Sequence, residues 1–218
     1  MITLASYIEH TILKPDTRLV EVQEVCETAL QYGFAGVCIP PFYVRDARKL
    51  LGENRNIRLV TVIGFPMGYA AIAAKTEEIK RAVDEGADDV DAVINIAALK
   101  SEQWTHVRRD IDSMILATNM KGKTLKLILE CGLLTDVEIR QMCELAKDAK
   151  VSWLKTGTGF HNHPATPEMV RQLRAMSPDS VKIKASGGIR TASMAQALID
   201  AGADRLGTSA SLDIIQGK

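Results

Sequence analysis

The 218-residue chain predicts a single-domain (β/α)8 barrel, and three observations carry that expectation. Short β-branched apolar runs occur eight times, at a near-uniform spacing of roughly 25–30 residues, as expected of a parallel sheet with one crossover helix per strand. Polar amphipathic stretches of about 12–18 residues lie between them. Three joints repeat almost verbatim: Tyr32-Gly33-Phe34-Ala35-Gly36, Glu85-Gly86-Ala87-Asp88-Asp89 and Ala201-Gly202-Ala203-Asp204-Arg205. In each, a glycine ends a helix and the chain enters a strand. An open doubly wound sheet is the competing closure. It would place a glycine-rich phosphate loop after the first strand, where Lys14-Pro15-Asp16 stands instead.

Taken in order, strands are expected at Ile8–Leu13, Gly36–Ile39, Arg58–Phe65, Asp89–Ile96, Leu125–Cys131, Ser152–Thr158, Val181–Gly187 and Arg205–Ser209. Helical patterns fall at Leu19–Tyr32, Tyr43–Leu51, Ala71–Glu85, Glu102–Thr118, Asp136–Ala149, Pro167–Met176 and Thr191–Ala201. Thr135-Asp136-Val137-Glu138 and Thr166-Pro167-Glu168 mark helix starts by a capping side chain or a first-turn proline.

Composition narrows the function classes. Hydrophobic residues make up 46% and charged residues 25%, too apolar for a disordered chain. Lys plus Arg and Asp plus Glu are 27 each, which disfavours a broad nucleic-acid footprint. The N-terminus shows no signal-peptide pattern, and no apolar run approaches the ~20 residues of a membrane span. Cys26, Cys38, Cys131 and Cys143 are widely spaced and read as buried thiols of a reducing cytoplasm. The remaining Met and aromatic positions read as core.

Barrel enzymes carry chemistry at the carboxyl ends of their strands, so late polar residues matter most. Lys155 lies within the sixth apolar strand, and Lys184 lies late in the seventh on the same face as Lys182. Lys182, being earlier, is expected at the solvent side. Strands six and seven are neighbours, so Lys155 and Lys184 come within interacting range. Two ammoniums in a partly dry cavity repel, and one releases its proton. A neutral amine at about pH 7–8 attacks carbonyls to form an imine. Asp91 sits mid-strand in the fourth run, where a carboxylate needs Lys155 or Lys184 as partner, and a carboxylate there with a water can carry protons. Asp88 and Asp89 fit strand-opening surface acids.

The loops after strands seven and eight read as an anion site: Gly187, Gly188 and Arg190 in one, Gly207 and Ser209 in the other. Gly64-Phe65-Pro66-Met67-Gly68 and Glu130 complete the rim without a role that spacing assigns. His161 and His163 offer an H-x-H pair, the basis of a rival metal-dependent aldolase or hydrolase, but His10 and His106 do not complete a ligand set. No metal and no cofactor are expected.

His10-Thr11-Ile12-Leu13-Lys14-Pro15, Gly64–Gly68, Gly86–Ile96, Leu154–Phe160, Lys184–Thr191 and Gly207-Thr208-Ser209, in this order, resemble the deoxyribose-phosphate aldolase family over residues 6–211. The resemblance implies a metal-free class I aldolase on a (β/α)8 barrel that reversibly cleaves 2-deoxy-D-ribose 5-phosphate to D-glyceraldehyde 3-phosphate and acetaldehyde. It implies that Lys155 forms the imine, that Lys184 tunes it and that Asp91 relays protons through water. The two late loops, with Thr156, would hold substrate and phosphate. It further implies small-molecule partners only, deoxyribonucleotide catabolism in the cytoplasm, and a homo-oligomer, dimer or tetramer. The chain departs from the family pattern at Glu9, Pro40, Tyr69–Lys75, Leu129–Gly132, Gly157, His161–Pro164 and Ala210-Ser211. These departures leave room for a paralogue acting on another phosphorylated sugar or aldehyde. A barrel that binds sugar phosphates without chemistry is the non-enzymatic alternative. Lys155, Lys184 and Asp91 together disfavour it, since binding alone needs none of them inside a strand.

Overall fold

The structure, a computed structural model, describes residues 3–52, 54 and 56–218. Eight parallel strands close into a barrel in chain order: β1 (Ile8–Thr11), β2 (Gly36–Ile39), β3 (Arg58–Ile63), β4 (Asp89–Val93), β5 (Thr124–Ile128), β6 (Trp153–Lys155), β7 (Lys182–Ser186) and β8 (Arg205–Thr208). β8 pairs with β1 through Leu206 opposite Ile8 and Gly207 opposite Glu9, which seals the ring. Helices α1 (Leu19–Tyr32), α2 (Val44–Leu51), α3 (Ile72–Asp84), α4 (Ile96–Lys100), α5 (Trp104–Asn119), α6 (Asp136–Asp148), α7 (Pro167–Met176), α8 (Ala192–Asp200) and α9 (Ser211–Ile215) complete it.

Local chemistry sets the boundaries. Gly33 at φ 65° takes the left-handed turn that ends α1, as the repeated joint predicts. Thr135 accepts from the Glu138 N–H while the Glu138 side chain accepts from the Thr135 N–H, a reciprocal cap that starts α6. Seven of the eight strands stop earlier than their apolar runs, five of them by two residues or more. The fourth was expected to reach Ile96 but ends at Val93. There the Lys75 ammonium takes the Val93 carbonyl (2.8 Å), and Asn95 Oδ1 accepts from the Ala98 N–H (3.0 Å) to start α4. The fifth ends at Ile128 because Glu130 is left-handed (φ 56°) and opens a 3-10 turn at Cys131–Leu133. Likewise the first ends at Thr11, the third at Ile63 and the sixth at Lys155. The short α4 and α9 carry too few residues to show a helical period.

Alternation divides the core in two. Leu59 and Ile63 of β3 join the apolar layer shared with the helices, whereas Val60 and Val62 pack with Cys38 in a separate cluster inside the barrel. Polar residues fill the rest of the interior: Glu9, Asp89, Asp91, Lys126, Lys155 and Lys184 are all buried. Below them Trp153 is half-buried, with Lys126, Lys182 and Arg205 lying 5.6, 5.4 and 6.0 Å from its ring centre. The cations thereby cover the aromatic face at the amino end of the barrel. Lys182 is exposed there, as its position in the alternation predicts.

Candidate active site at the carboxyl end of the barrel

Register brings the expected pair together. Lys155 of β6 stands opposite Lys184 of β7, and both ammoniums donate to one oxygen, Asp91 Oδ2, at 2.9 and 2.6 Å. Lys184 also donates to Glu9. The two lysines are therefore not bare charges facing each other. Lys126 of β5 adds a third ammonium, 2.7 Å from Asp89 Oδ2, 3.4 Å from Glu9 Oε1 and 3.5 Å from Asp91 Oδ1. Three buried lysines thus face three buried carboxylates, an arrangement that offsets much of the cost of burying each ion.

That balance corrects the simple repulsion picture. Burial opposes the charged forms, but Asp91 lies among Lys155, Lys184 and Lys126 and is held well below the usual carboxylate range. Burial would also lower Lys184, yet Asp91 and Glu9 outweigh it and hold its ammonium above the ordinary lysine range. Lys184 is thus a fixed cation. Lys155, unlike Lys184, lines the cavity above the network. Asp88 and Asp89 are not surface acids: Asp89 receives Arg58 and Lys126, and Asp88 accepts from Arg48 and from the Leu59 N–H. The cross-barrel register that buries them is invisible in a single strand's alternation.

The cavity has a volume of about 300 Å³, and Gly187, Gly188, Arg190, Gly207 and Ser209 all line it. Thr156 does not. Its hydroxyl donates to the Ser186 carbonyl (3.2 Å) and accepts from the Ser186 N–H (3.1 Å), tying β6 to β7 behind the cavity wall. The sequence reading placed Thr156 on the ligand, but its side chain points away from Lys155's face because neighbours in a strand alternate. Thr158 lines the cavity instead. Two glycines are needed for space. A Cβ at Gly207 would lie 3.1 Å from Lys184 Cε, and one at Gly188, where φ is 73°, would lie 2.6 Å from Pro164 Cβ.

Gly157, a departure from the family pattern, has a partner. A Cβ there would come within 2.7 Å of Glu130 Oε1, and Glu130 Oε2 accepts from the Thr158 N–H at 2.9 Å. Buried Glu130 therefore braces the loop that carries Thr158, a role spacing did not assign. Of the two loop histidines, His163 packs over Gly132 and is exposed, while His161 is half-buried. Among the described residues no three His, Cys, Asp or Glu side chains gather as a metal site. Leu13 and Lys14 are shared with a second cavity of about 740 Å³, walled by Pro40, Phe42, Tyr43, Phe65, Pro66 and Tyr69. Phe65 meets Phe160 of the first cavity edge-on, with ring centres 5.1 Å apart. Phe42 was expected in the core but is 73% exposed, and Tyr69, in the stretch that departs from the family pattern, is 68% exposed. Sequence reasoning also missed Lys126 and the partnership of Glu9 with Lys184. The available signal was a lysine flanked by Leu125 and Leu127 in an apolar run.

Comparison with known proteins agrees with this geometry. Residues 3–217 match the family described as DeoC/LacD family aldolase. The chain is 41% identical over 215 residues to the deoxyribose-phosphate aldolase of Thermococcus gammatolerans, covering 98% of this chain and 96% of that one. It is 44% identical over 215 residues to the enzyme of the same name from Clostridium perfringens, covering 99% and 95%. Among solved structures, an aldolase called QR15 superposes with a TM-score of 0.92 at 33% identity, covering 99% of this chain and 96% of the other. A tetrameric deoxyribose phosphate aldolase from Aeropyrum pernix gives 0.89 at 29%, covering 98% and 89%. With its fold, its buried lysine pair and nearly its whole length accounted for, this chain belongs to the DeoC/LacD aldolase family.

Proposed function

We propose that this enzyme reversibly cleaves 2-deoxy-D-ribose 5-phosphate to D-glyceraldehyde 3-phosphate and acetaldehyde through an imine on Lys155. The observation that carries this reading is Asp91 Oδ2 shared by two lysines, of which only Lys155 lines the cavity. In the cleavage direction the neutral Lys155 amine attacks C1 of the open-chain sugar, and loss of water gives the iminium. Removal of the C3 hydroxyl proton breaks the C2–C3 bond, whose electrons enter the iminium to form an enamine. Glyceraldehyde 3-phosphate leaves, the enamine is protonated, and water releases acetaldehyde. Lys184 stays charged, holding Asp91 and opposing a second positive charge beside it. As Lys155 becomes neutral, Asp91 loses one of its three opposing cations and becomes a better proton carrier.

The 5-phosphate is assigned to Gly187, Gly188 and Gly207 backbone, the Ser209 hydroxyl and the exposed Arg190, all on the cavity that Lys155 lines. No step calls on a metal. The names of the relatives support the same substrate. We further place the enzyme in deoxyribonucleotide breakdown in the cytoplasm, as a homo-oligomer. Four buried free cysteines support a reducing compartment, and a tetrameric relative supports assembly. No described helix is long and apolar enough to cross a membrane.

A retro-aldol assay reading glyceraldehyde 3-phosphate tests the proposal. 2-Deoxyribose 5-phosphate is expected to be cleaved with a kcat/KM at least ~10²-fold above that of 2-deoxyribose, the size of losing a charge-assisted contact set. No release of the three-carbon phosphate would contradict the reaction, and equal turnover of the two sugars would contradict the anion loops.

A further inference from the structure

We infer that Lys126 is a positioning residue for this reaction: from beneath the site, its buried ammonium sets the charge balance that governs when Lys155 is free to attack. The inference rests on the imine role of Lys155. Lys126 does not line the cavity and is 1% exposed, so it touches no substrate. Its partners, however, are those of the catalytic pair. It lies 3.5 Å from Asp91 Oδ1, the oxygen that Lys155 and Lys184 leave unused, and that oxygen has no hydrogen bond. It lies 3.4 Å from Glu9 Oε1, whose other oxygen holds Lys184. Its shortest contact, 2.7 Å to Asp89, anchors it from below.

Every strand packed around Lys126 contributes to this balance. β1 brings Glu9 and β4 brings Asp89 and Asp91, while β6 and β7 bring Lys155 and Lys184. β3 adds Arg58, which also pairs with Asp89 and is 40% exposed on its side chain. On β2 the Cys38 thiol is neutral, pushed up to about 11 chiefly by burial. Beyond Trp153, Lys182 and Arg205 lie on the solvent side of the ring. Within the sealed set, three ammoniums answer three carboxylates. Taking away Lys126 leaves two against three, and the excess negative charge favours the protonated form of Lys155. Taking away Asp89 leaves three against two, with Lys126 released toward Asp91, and favours the neutral form.

The two changes are therefore expected to move the pH profile in opposite directions. kcat/KM for 2-deoxyribose 5-phosphate is measured against pH in the retro-aldol direction, with melting temperature recorded alongside. Lys126→Met is expected to shift the acid limb up by on the order of one pH unit, and Asp89→Asn to shift it down, with KM nearly unchanged. Lys126→Met/Asp89→Asn restores equal charge and returns the limb toward that of the parent. A limb that stays in place while only activity or melting temperature falls would overturn the inference, leaving Lys126 a structural ion. Should Lys126→Met not fold, the direction of the Asp89→Asn shift decides alone. An active parent with unmoved limbs refutes only Lys126, whereas an inactive parent refutes the imine reading itself.

Discussion

Lys155 and Lys184 stand directly opposite each other across a strand pair, yet the barrel gives them different tasks. Lys184 is closed off, held by Asp91 and Glu9, and stays charged. Lys155 shares Asp91 but fronts the cavity. Lys155→Met is expected to reduce retro-aldol kcat by at least ~10⁴-fold, because no other group there supplies a nucleophile. Asp91→Asn is expected to cost on the order of 10²–10⁴-fold in kcat while sugar-phosphate KM changes little, as loss of a proton carrier does. A parallel rise in KM would show that Asp91 binds substrate instead. Lys155, Lys184 and Asp91 were legible in the sequence because a charge within an apolar strand has to be explained. Lys126 has the same signature, but its significance depends on Glu9, Asp89 and Asp91 arriving from two other strands. Strand alternation alone does not report that register.

The strands were read well in number and order, the short helices α4 and α9 were missed, and the carboxyl ends of the strands were read less well. Apolar runs continue past the last ladder residue because the next residues stay buried, while individual side chains break the ladder. Asn95 caps a new helix, Lys75 takes the Val93 carbonyl, and Glu130 turns left-handed. The same loops carry the departures from the family pattern, and Gly157 and Glu130 form one compensated pair. Gly157→Ser would push its Cβ into Glu130 Oε1 and is expected to destabilise the protein by about 1–3 kcal/mol, read as a lowered melting temperature. Adding Glu130→Ala should recover part of that loss. If Gly157→Ser alone is neutral, Glu130 has room to move and does not brace the loop.

At the scale of the whole molecule, a closed barrel is what permits so many ions inside. Alternate strands deliver the interior side chains of successive layers, so opposite charges from different strands meet where a lone helix could not bring them. The arrangement makes stability depend on acid. Burial resists ionisation of Asp88, Asp89 and Asp91, but their cationic and hydrogen-bonding partners prevail and hold all three below the usual carboxylate range. The unfolded chain therefore takes up protons first as pH falls. Stability from these groups is present above about pH 4 and is lost progressively below it. Chemical unfolding at pH 7, 4 and 3 is expected to give a falling midpoint in that order, and a midpoint independent of pH over this range would show the buried pairs to be uncoupled from folding.

The most direct measurement is borohydride reduction of the protein in the presence of acetaldehyde, followed by peptide mass mapping. One ethyl group is expected on Lys155, with none on Lys126 or Lys184, and the Lys155→Met protein is expected to take up no label at the site. An active enzyme that stays unmodified, or that carries the ethyl group on Lys184, would contradict the assignment of Lys155 as the amine that meets the aldehyde.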